Sequence, residues 1–159
     1  GVLQRDLGSD WQVIEEGLPG RTTVVEDPID GAHLSGLPYL KPCLLSHKPL
    51  DHVIIFLGTN DLKRRLNLIA EDVCAGIDRL LREVKFTEAL ATDMSHVLVI
   101  CPPPLKEVGL FEDMFAGARA KSLELASLMQ DVARQHDASF LDSGSIISAS
   151  DIPDDIVAY

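Results

Sequence analysis

Two uninterrupted apolar runs constrain the fold of this chain more than any other feature. They read "VIIFL" at 53–57 and "VLVIC" at 97–101. Strands that are buried on both faces have continuous runs of this kind, whereas strands with one wet face alternate polar and apolar residues. The runs therefore predict a parallel sheet that is covered by helices.

The rest of the chain supplies the elements that such a sheet needs. We predict four strands, at 12–16, 51–57, 96–101 and 138–141. Apolar residues recur at three- and four-residue steps in 66–86 and again in 111–132, which predicts two amphipathic helices. Alternating strands and helices indicate right-handed parallel crossovers. We therefore predict a single α/β domain over 1–159, a three-layer α/β/α arrangement with a mostly parallel sheet.

Charge and cysteine content exclude several classes of function. The formal net charge of -11 argues against nucleic acid and anionic membrane as partners. No apolar run is long enough to cross a bilayer. The cysteines, Cys43, Cys74 and Cys101, have no metal-ligand spacing, so we predict three buried thiols in a reducing, cytoplasmic setting. No cofactor and no metal site is predicted.

Polar turns follow two of the predicted strands, "GLPG" at 17–20 and "GTND" at 58–61. Ligands of parallel sheets bind at the carboxyl ends of strands, where these turns would meet. A backbone N–H from the first turn and the Asn60 amide from the second could form an oxyanion hole for acyl transfer. The alternative is that both are ordinary strand-to-helix turns, with Asn and Asp as capping residues.

Longer stretches around these turns carry a family resemblance. "EEGLPGRTT" and "PLDHVIIFLGTND" resemble two blocks of the SGNH (GDSL-type) hydrolases, in particular the bacterial arylesterase and acyltransferase-like branch. "VLVICPPPL" and "FLDSGSIISAS" resemble later segments of that branch. The resemblance implies a flavodoxin-like SGNH fold that hydrolyses a small-molecule ester, with acyl transfer or perhydrolysis as variants. It implies Gly20 as the backbone oxyanion donor, Asn60 as the side-chain donor, and Thr59 and Asp61 as supports of that loop.

Two blocks of the family are missing from the chain. The nucleophile of the family is the Ser of a Gly-Asp-Ser block that precedes everything seen here, and its base is the His of an Asp-x-x-His block. The chain ends "DIPDDIVAY", with Asp154 near the acidic position and Val157 where the His would stand. We therefore expect a domain that lacks its first strand and its C-terminal catalytic block, with little activity of its own. An inactive SGNH-like binding or assembly scaffold is the alternative function.

Other residues could in principle replace the missing groups. Asp30 and His33 have the Asp-x-x-His spacing, but we expect them in a solvated loop. Ser143 and Ser145 are interpreted as turn hydroxyls, and His47 and His52 as structural residues. A homo-oligomer is left open.

The missing strand has a consequence for the sheet. In the family it lies between the strands predicted at 12–16 and 51–57, and each buried unpaired backbone group costs about 1–3 kcal/mol. We therefore predict one of three outcomes: the two strands pair directly, a partner chain fills the slot, or a preceding strand belongs to the molecule.

Overall fold

A three-stranded parallel sheet with packed helices forms the fold of the computed structural model, which describes residues 1–147. The elements are α1 (Val2–Leu7), α2 (Gly36–His47), β1 (Val53–Ile55), α3 (Ala70–Thr87), β2 (Val97–Cys101), α4 (Ala118–Gln135) and β3 (Ser139–Asp142). The strand order is β1-β2-β3, with Ile54 beside Leu98 and Val99 beside Phe140. The predicted α/β class with a parallel sheet is confirmed.

One apolar core joins the inward side of the sheet to α3 and α4. Ile55, Val97 and Val99 point into it from β1 and β2, where they are fully or almost fully buried. The apolar stripe of α3 and that of α4 pack against them, as their sequence periodicity predicts. On the opposite side of the sheet, Ile54 remains 49% exposed and Leu141 37% exposed. The described helices therefore bury one side of the sheet more completely than the other.

The helices differ from prediction mainly at their ends. Helix α3 begins at Ala70, because the Asp72 carboxylate accepts a hydrogen bond from the Ile69 N–H at 3.1 Å and caps the first turn. Helix α4 begins only at Ala118, after Gly117, whose positive φ of 83° interrupts the helical backbone. Helix α2 was not predicted, since Pro42 lies within it and disguises the pattern.

The strand predicted at 12–16 is not formed. Residues 11–18 have no regular secondary structure, and the Val13 N–H donates to the Gln4 side chain at 2.7 Å instead of to a neighbouring strand. The strand predicted at 51–57 is paired only over Val53–Ile55. A strand exists only with a ladder partner, and residues 12–16 have none among residues 1–147.

A cavity of about 600 Å³ occupies the space between these two segments, with residues 53–57 in one wall and Ile14 and Glu16 in the other. The segments therefore do not pair directly, which was the first of the three outcomes predicted for the missing strand. Filling of the slot by a partner chain or by a preceding strand stays a prediction. No helix within residues 1–147 combines the length and the apolarity that crossing a membrane requires.

The start of α2 anchors the segment that follows the polar turn at 17–20. The Gly36 and Leu37 N–H groups, which have no partner inside the helix, donate to the carbonyl oxygens of Thr22 and Thr23 at 3.1 Å each. The approach is close enough that a Cβ on Gly36 would lie 3.0 Å from the Thr22 oxygen and 3.1 Å from the Thr23 oxygen. Gly36 is therefore required by packing against backbone, which cannot rotate away.

We expect Gly36→Ala to lower the free energy of unfolding by about 1–3 kcal/mol, because the added methyl forces the backbone apart. This loss outweighs the gain of up to about 1 kcal/mol that alanine brings to a helix. Gly17→Ala is the matched control, since a Cβ there meets no atom within 4 Å. Urea unfolding of both variants is the measurement, and equal stability of the two would contradict the packing argument.

Candidate functional site

The slot cavity brings together the two polar turns that the sequence analysis selected. Gly17 and Gly20 border it from one turn, and Gly58, Thr59 and Asn60 border it from the other. The second group lies just beyond the carboxyl end of β1, where ligands of parallel sheets bind. Gly20 and Asn60 are thus walls of the same cavity.

Gly20 lies in a turn whose hydrogen bonds leave its own N–H without a partner among residues 1–147. A hydrogen bond of 3.1 Å from the Arg21 N–H to the Leu18 carbonyl closes the turn, and Gly20 has a φ of 85° that favours glycine. Within residues 1–147 the Gly20 N–H donates no hydrogen bond. The turn is therefore held by its neighbours, which leaves this donor free.

Asn60 offers a second free donor. It opens a short 3-10 turn, Asn60–Leu62, and its backbone carbonyl accepts from the Lys63 N–H at 3.3 Å. Its partly buried side-chain amide has no hydrogen-bond partner among residues 1–147. Two unpaired N–H donors on one cavity can stabilise a developing oxyanion. Their assignment to that role stays a prediction.

Asp61 fixes the two turns to each other. Its carboxylate accepts from the Thr23 N–H at 3.0 Å to each oxygen, and from the Thr23 hydroxyl at 2.5 Å. Both residues are almost completely buried. Burial raises the pKa of Asp61, while the hydrogen bonds from Thr23 oppose that rise. Gly76 of α3 makes the arrangement possible, because a Cβ there would collide with the Thr23 hydroxyl. The predicted supporting role of Asp61 thus has a partner that sequence reasoning missed.

A buried charge cluster joins the residues that follow the second turn to the loop at 27–30. Lys63 Nζ contacts Asp27 at 3.0 Å and Asp30 at 2.8 Å, and Arg65 Nε contacts Asp27 at 2.9 Å. Asp27 and Lys63 are almost fully buried. Burial opposes ionisation of Asp27, but hydrogen bonds from Arg65, from the Asp30 and Ile29 N–H groups and from Lys63 outweigh it and hold the pKa of Asp27 well below its usual range. "DPID" and "KRR" were the sequence signal for this cluster, although they lie more than 30 residues apart.

The "DGAH" segment and the Ser143 and Ser145 hydroxyls do not line the cavity. His33 is exposed, and Asp30 is engaged by Lys63 and Arg65, so the "DGAH" segment forms no acid–base pair. The Ser143 and Ser145 hydroxyls donate to the carbonyls of Cys101 and Asp142 at 2.6 and 2.7 Å. Asp154 and Val157 lie outside the described residues.

The cysteines correct one expectation. Cys74 and Cys101 are buried, and burial raises the pKa of each thiol to about 12. Cys43 was also predicted to be buried, yet it is only partly so and borders the slot cavity. Its neighbourhood in the fold is polar because Glu16 and Tyr39 lie beside it. A residue with this position could not be recognised from its apolar sequence context, "PCLL".

Comparison with known proteins gives concordant results. The profile of the GDSL-like lipase/acylhydrolase family matches residues 1–157. The native aryl esterase of M. smegmatis is 40% identical, with a TM-score of 0.86 over 98% of this chain and 74% of that one. Est24, a carbohydrate acetylesterase from Sinorhizobium meliloti, is 37% identical, with a TM-score of 0.87 over 99% of this chain and 73% of that one. A search among curated proteins found no match.

We expect Thr23→Val to lower the free energy of unfolding by about 1.5–3 kcal/mol, because it removes a hydrogen bond to a buried carboxylate while keeping the shape of the side chain. Thr87→Val is the matched control. The Thr87 hydroxyl is also mostly buried but donates to a neutral carbonyl, that of Glu83, so its loss should cost about 0.5–1.5 kcal/mol. Chemical denaturation of both variants is the measurement. A Thr23 effect no larger than the control would refute the pinning role of Asp61.

The buried charge cluster predicts a pH dependence. The folded-state pKa of Asp27 is depressed, so its stabilisation is present above the unfolded pKa of about 4 and is lost as the pH falls below it. Asp27→Asn should therefore lower the free energy of unfolding by about 3–5 kcal/mol at pH 7. The difference in this free energy between the variant and the wild type should shrink between pH 4 and pH 2.

Urea unfolding at pH 7, 4 and 3 measures this difference. Asp131→Asn is the control, since its carboxylate is 59% exposed and its loss should change stability by no more than about 0.5 kcal/mol. A difference for Asp27→Asn that is constant across this pH range would contradict the assignment.

Proposed function

The chain belongs to the GDSL-like lipase/acylhydrolase family, and on that premise we propose that it provides the oxyanion-binding half of a serine ester hydrolase. The observation that carries the proposal is the pair of unpaired donors, the Gly20 N–H and the Asn60 amide, in the wall of one cavity. Esterase or acylhydrolase activity is the activity of this family and of its solved relatives. The roles of individual residues are our proposal.

The two donors act on the charge that develops during acyl transfer. A Ser hydroxyl attacks the acyl carbon of the ester, and a His accepts the hydroxyl proton. As the carbonyl carbon becomes tetrahedral, its oxygen gains negative charge, which the Gly20 N–H and the Asn60 amide stabilise. Collapse of this intermediate expels the alcohol, which takes the proton from His, and water then releases the acid by the same steps in reverse order. The Ser and His belong to the Gly-Asp-Ser and C-terminal Asp-x-x-His blocks of the family, and the 159 residues contain no Gly-Asp-Ser sequence.

Hydrogen bonds and ion pairs hold the two turns in place, which suits the Gly20 and Asn60 donors to stabilising an oxyanion. Donors contribute most when they are already oriented, because no reorganisation is then needed in the transition state. Asp61 holds the second turn to Thr23, and the Lys63 ammonium lies behind Gly20, next to Asp27 and Asp30. Neither support uses the donors themselves, so both stay available to the substrate.

Small esters are the proposed substrates. Two of the similar structures are described as an aryl esterase and as a carbohydrate acetylesterase. Both names denote enzymes that cleave esters, and they differ in the alcohol part of the ester. We assign hydrolysis of short acyl esters as the main reaction, and transfer to another alcohol as a variant that requires exclusion of water.

The test is Asn60→Ala in a protein that carries this chain together with both missing family blocks. We expect kcat to fall roughly 10²–10³-fold with little change in KM, because the lost donor acts mainly on the transition state. Steady-state hydrolysis of an aryl acetate measures both parameters, and thermal unfolding checks that the fold is retained.

His33→Ala is the matched control and should change kcat by only a few-fold, since His33 is exposed and outside the cavity. A near-normal kcat for Asn60→Ala would refute the oxyanion assignment. A collapse of activity in His33→Ala would instead identify the "DGAH" segment as the source of the base.

A further inference from the structure

Three potential ligand atoms converge at the edge of the slot cavity. Cys43 and His47 are four residues apart on α2, so they project from the same face of the helix. Glu16 reaches them from the irregular segment that precedes Gly17. One ligand atom from each residue, a carboxylate oxygen, the thiol sulfur and an imidazole nitrogen, lies within 4.8 Å of the other two. The sequence analysis predicted no metal site, because Glu16 is remote from the other two residues along the chain.

The spacing of these atoms is close to that of a bound cation. Zinc bonds of about 2.0–2.3 Å at tetrahedral angles place two ligand atoms roughly 3.3–3.6 Å apart. Glu16 Oε1 and His47 Nε2 are already 3.2 Å apart. The Cys43 sulfur completes the set after a small movement of a side chain that is only partly buried.

A second group of residues orients the carboxylate. The Tyr39 hydroxyl, one turn before Cys43 on α2, donates a short hydrogen bond to Glu16 Oε2, which leaves Oε1 directed toward His47. The Arg21 guanidinium stacks on the Tyr39 ring at 4.5 Å from its centroid. Hydrogen bonds of this kind to the outer oxygen of a ligand are typical of metal sites, where they fix its orientation.

A catalytic relay does not explain the cluster. In such a relay, the carboxylate and the nucleophile lie at opposite nitrogens of the imidazole, which separates them. Here the carboxylate oxygen and the sulfur are near each other as well as near the imidazole. The other acidic group, Asp27 with Asp30, is already neutralised by Lys63 and Arg65, so it has no comparable need of a cation.

We propose that Glu16, Cys43 and His47 form a zinc site, with a water molecule as the fourth ligand. A mixed oxygen, sulfur and nitrogen set of this size suits Zn²⁺ better than Mg²⁺ or Ca²⁺, which prefer oxygen alone. Binding replaces the thiol proton of Cys43 with the metal, and that proton passes to solvent. The site connects the irregular segment to α2, so the bound metal stabilises the wall of the cavity that leads to Gly20. It takes no part in the acyl transfer proposed above.

Metal titration of the reduced 159-residue chain tests the site. We expect one Zn²⁺ to bind per chain by calorimetry against a competing chelator, and Zn²⁺ to raise the melting temperature. Cobalt(II) alone, as a spectroscopic substitute, should show a sulfur-to-metal charge-transfer band in the near ultraviolet, which requires a bound thiolate.

Cys43→Ser and His47→Gln should each weaken zinc binding by more than about 100-fold, since even outer partners of a ligand contribute about 10–100-fold. Cys43→Ser should also abolish the cobalt band. Cys74→Ser and His33→Gln are the matched controls and should bind as the wild type does, because neither residue belongs to the cluster. The absence of saturable zinc binding, a cobalt spectrum without the thiolate band, or wild-type affinity in Cys43→Ser would each overturn the proposal.

Discussion

The carboxylate of Asp61 is the group on which the arrangement around the cavity depends. It lies in a fully buried position and accepts from both the backbone N–H and the hydroxyl of Thr23. A buried carboxylate is stable only when such donors replace the water it has lost. Moving either turn away would leave the Asp61 carboxylate without the Thr23 donors. The two turns are therefore held together although no sheet ladder connects the segments from which they come.

Further polar contacts hold the segments on either side of Asp61 and Thr23. The N–H groups at the start of α2 bind the carbonyls of Thr22 and Thr23, while Lys63 and Arg65 hold the loop that contains Asp27 and Asp30. None of these contacts uses the N–H of Gly20 or the side-chain amide of Asn60. As a result both donors have no partner among residues 1–147, which suits the oxyanion role proposed for them.

The same cavity wall therefore has two separate chemical regions. At one end, Gly20 and Asn60 border the cavity, where we propose that their N–H groups bind a carbonyl oxygen. At the other, Glu16, Cys43 and His47 present a carboxylate, a thiol and an imidazole to one point. The first region matches the chemistry of the family to which the chain belongs, whereas the second is a property of this fold that concerns the stability of the irregular segment beside it.

The sequence by itself determined the α/β class and the parallel pairing of the apolar runs, because hydrophobic periodicity is a local signal. The choice of Gly20 and Asn60 rests on the resemblance of the stretches around "GLPG" and "GTND" to family blocks, and their role stays a prediction. The sequence did not determine whether residues 12–16 form a strand, since a strand depends on a neighbour and not on its own side chains. Nor could it show that Thr23 binds Asp61, that Lys63 binds Asp27, or that Glu16 reaches His47. These pairs are more than 30 residues apart in two cases, and almost 40 in the third. Only the tertiary fold, in which α2 packs on α3, brings them within hydrogen-bonding distance, so the tertiary structure alone decided them.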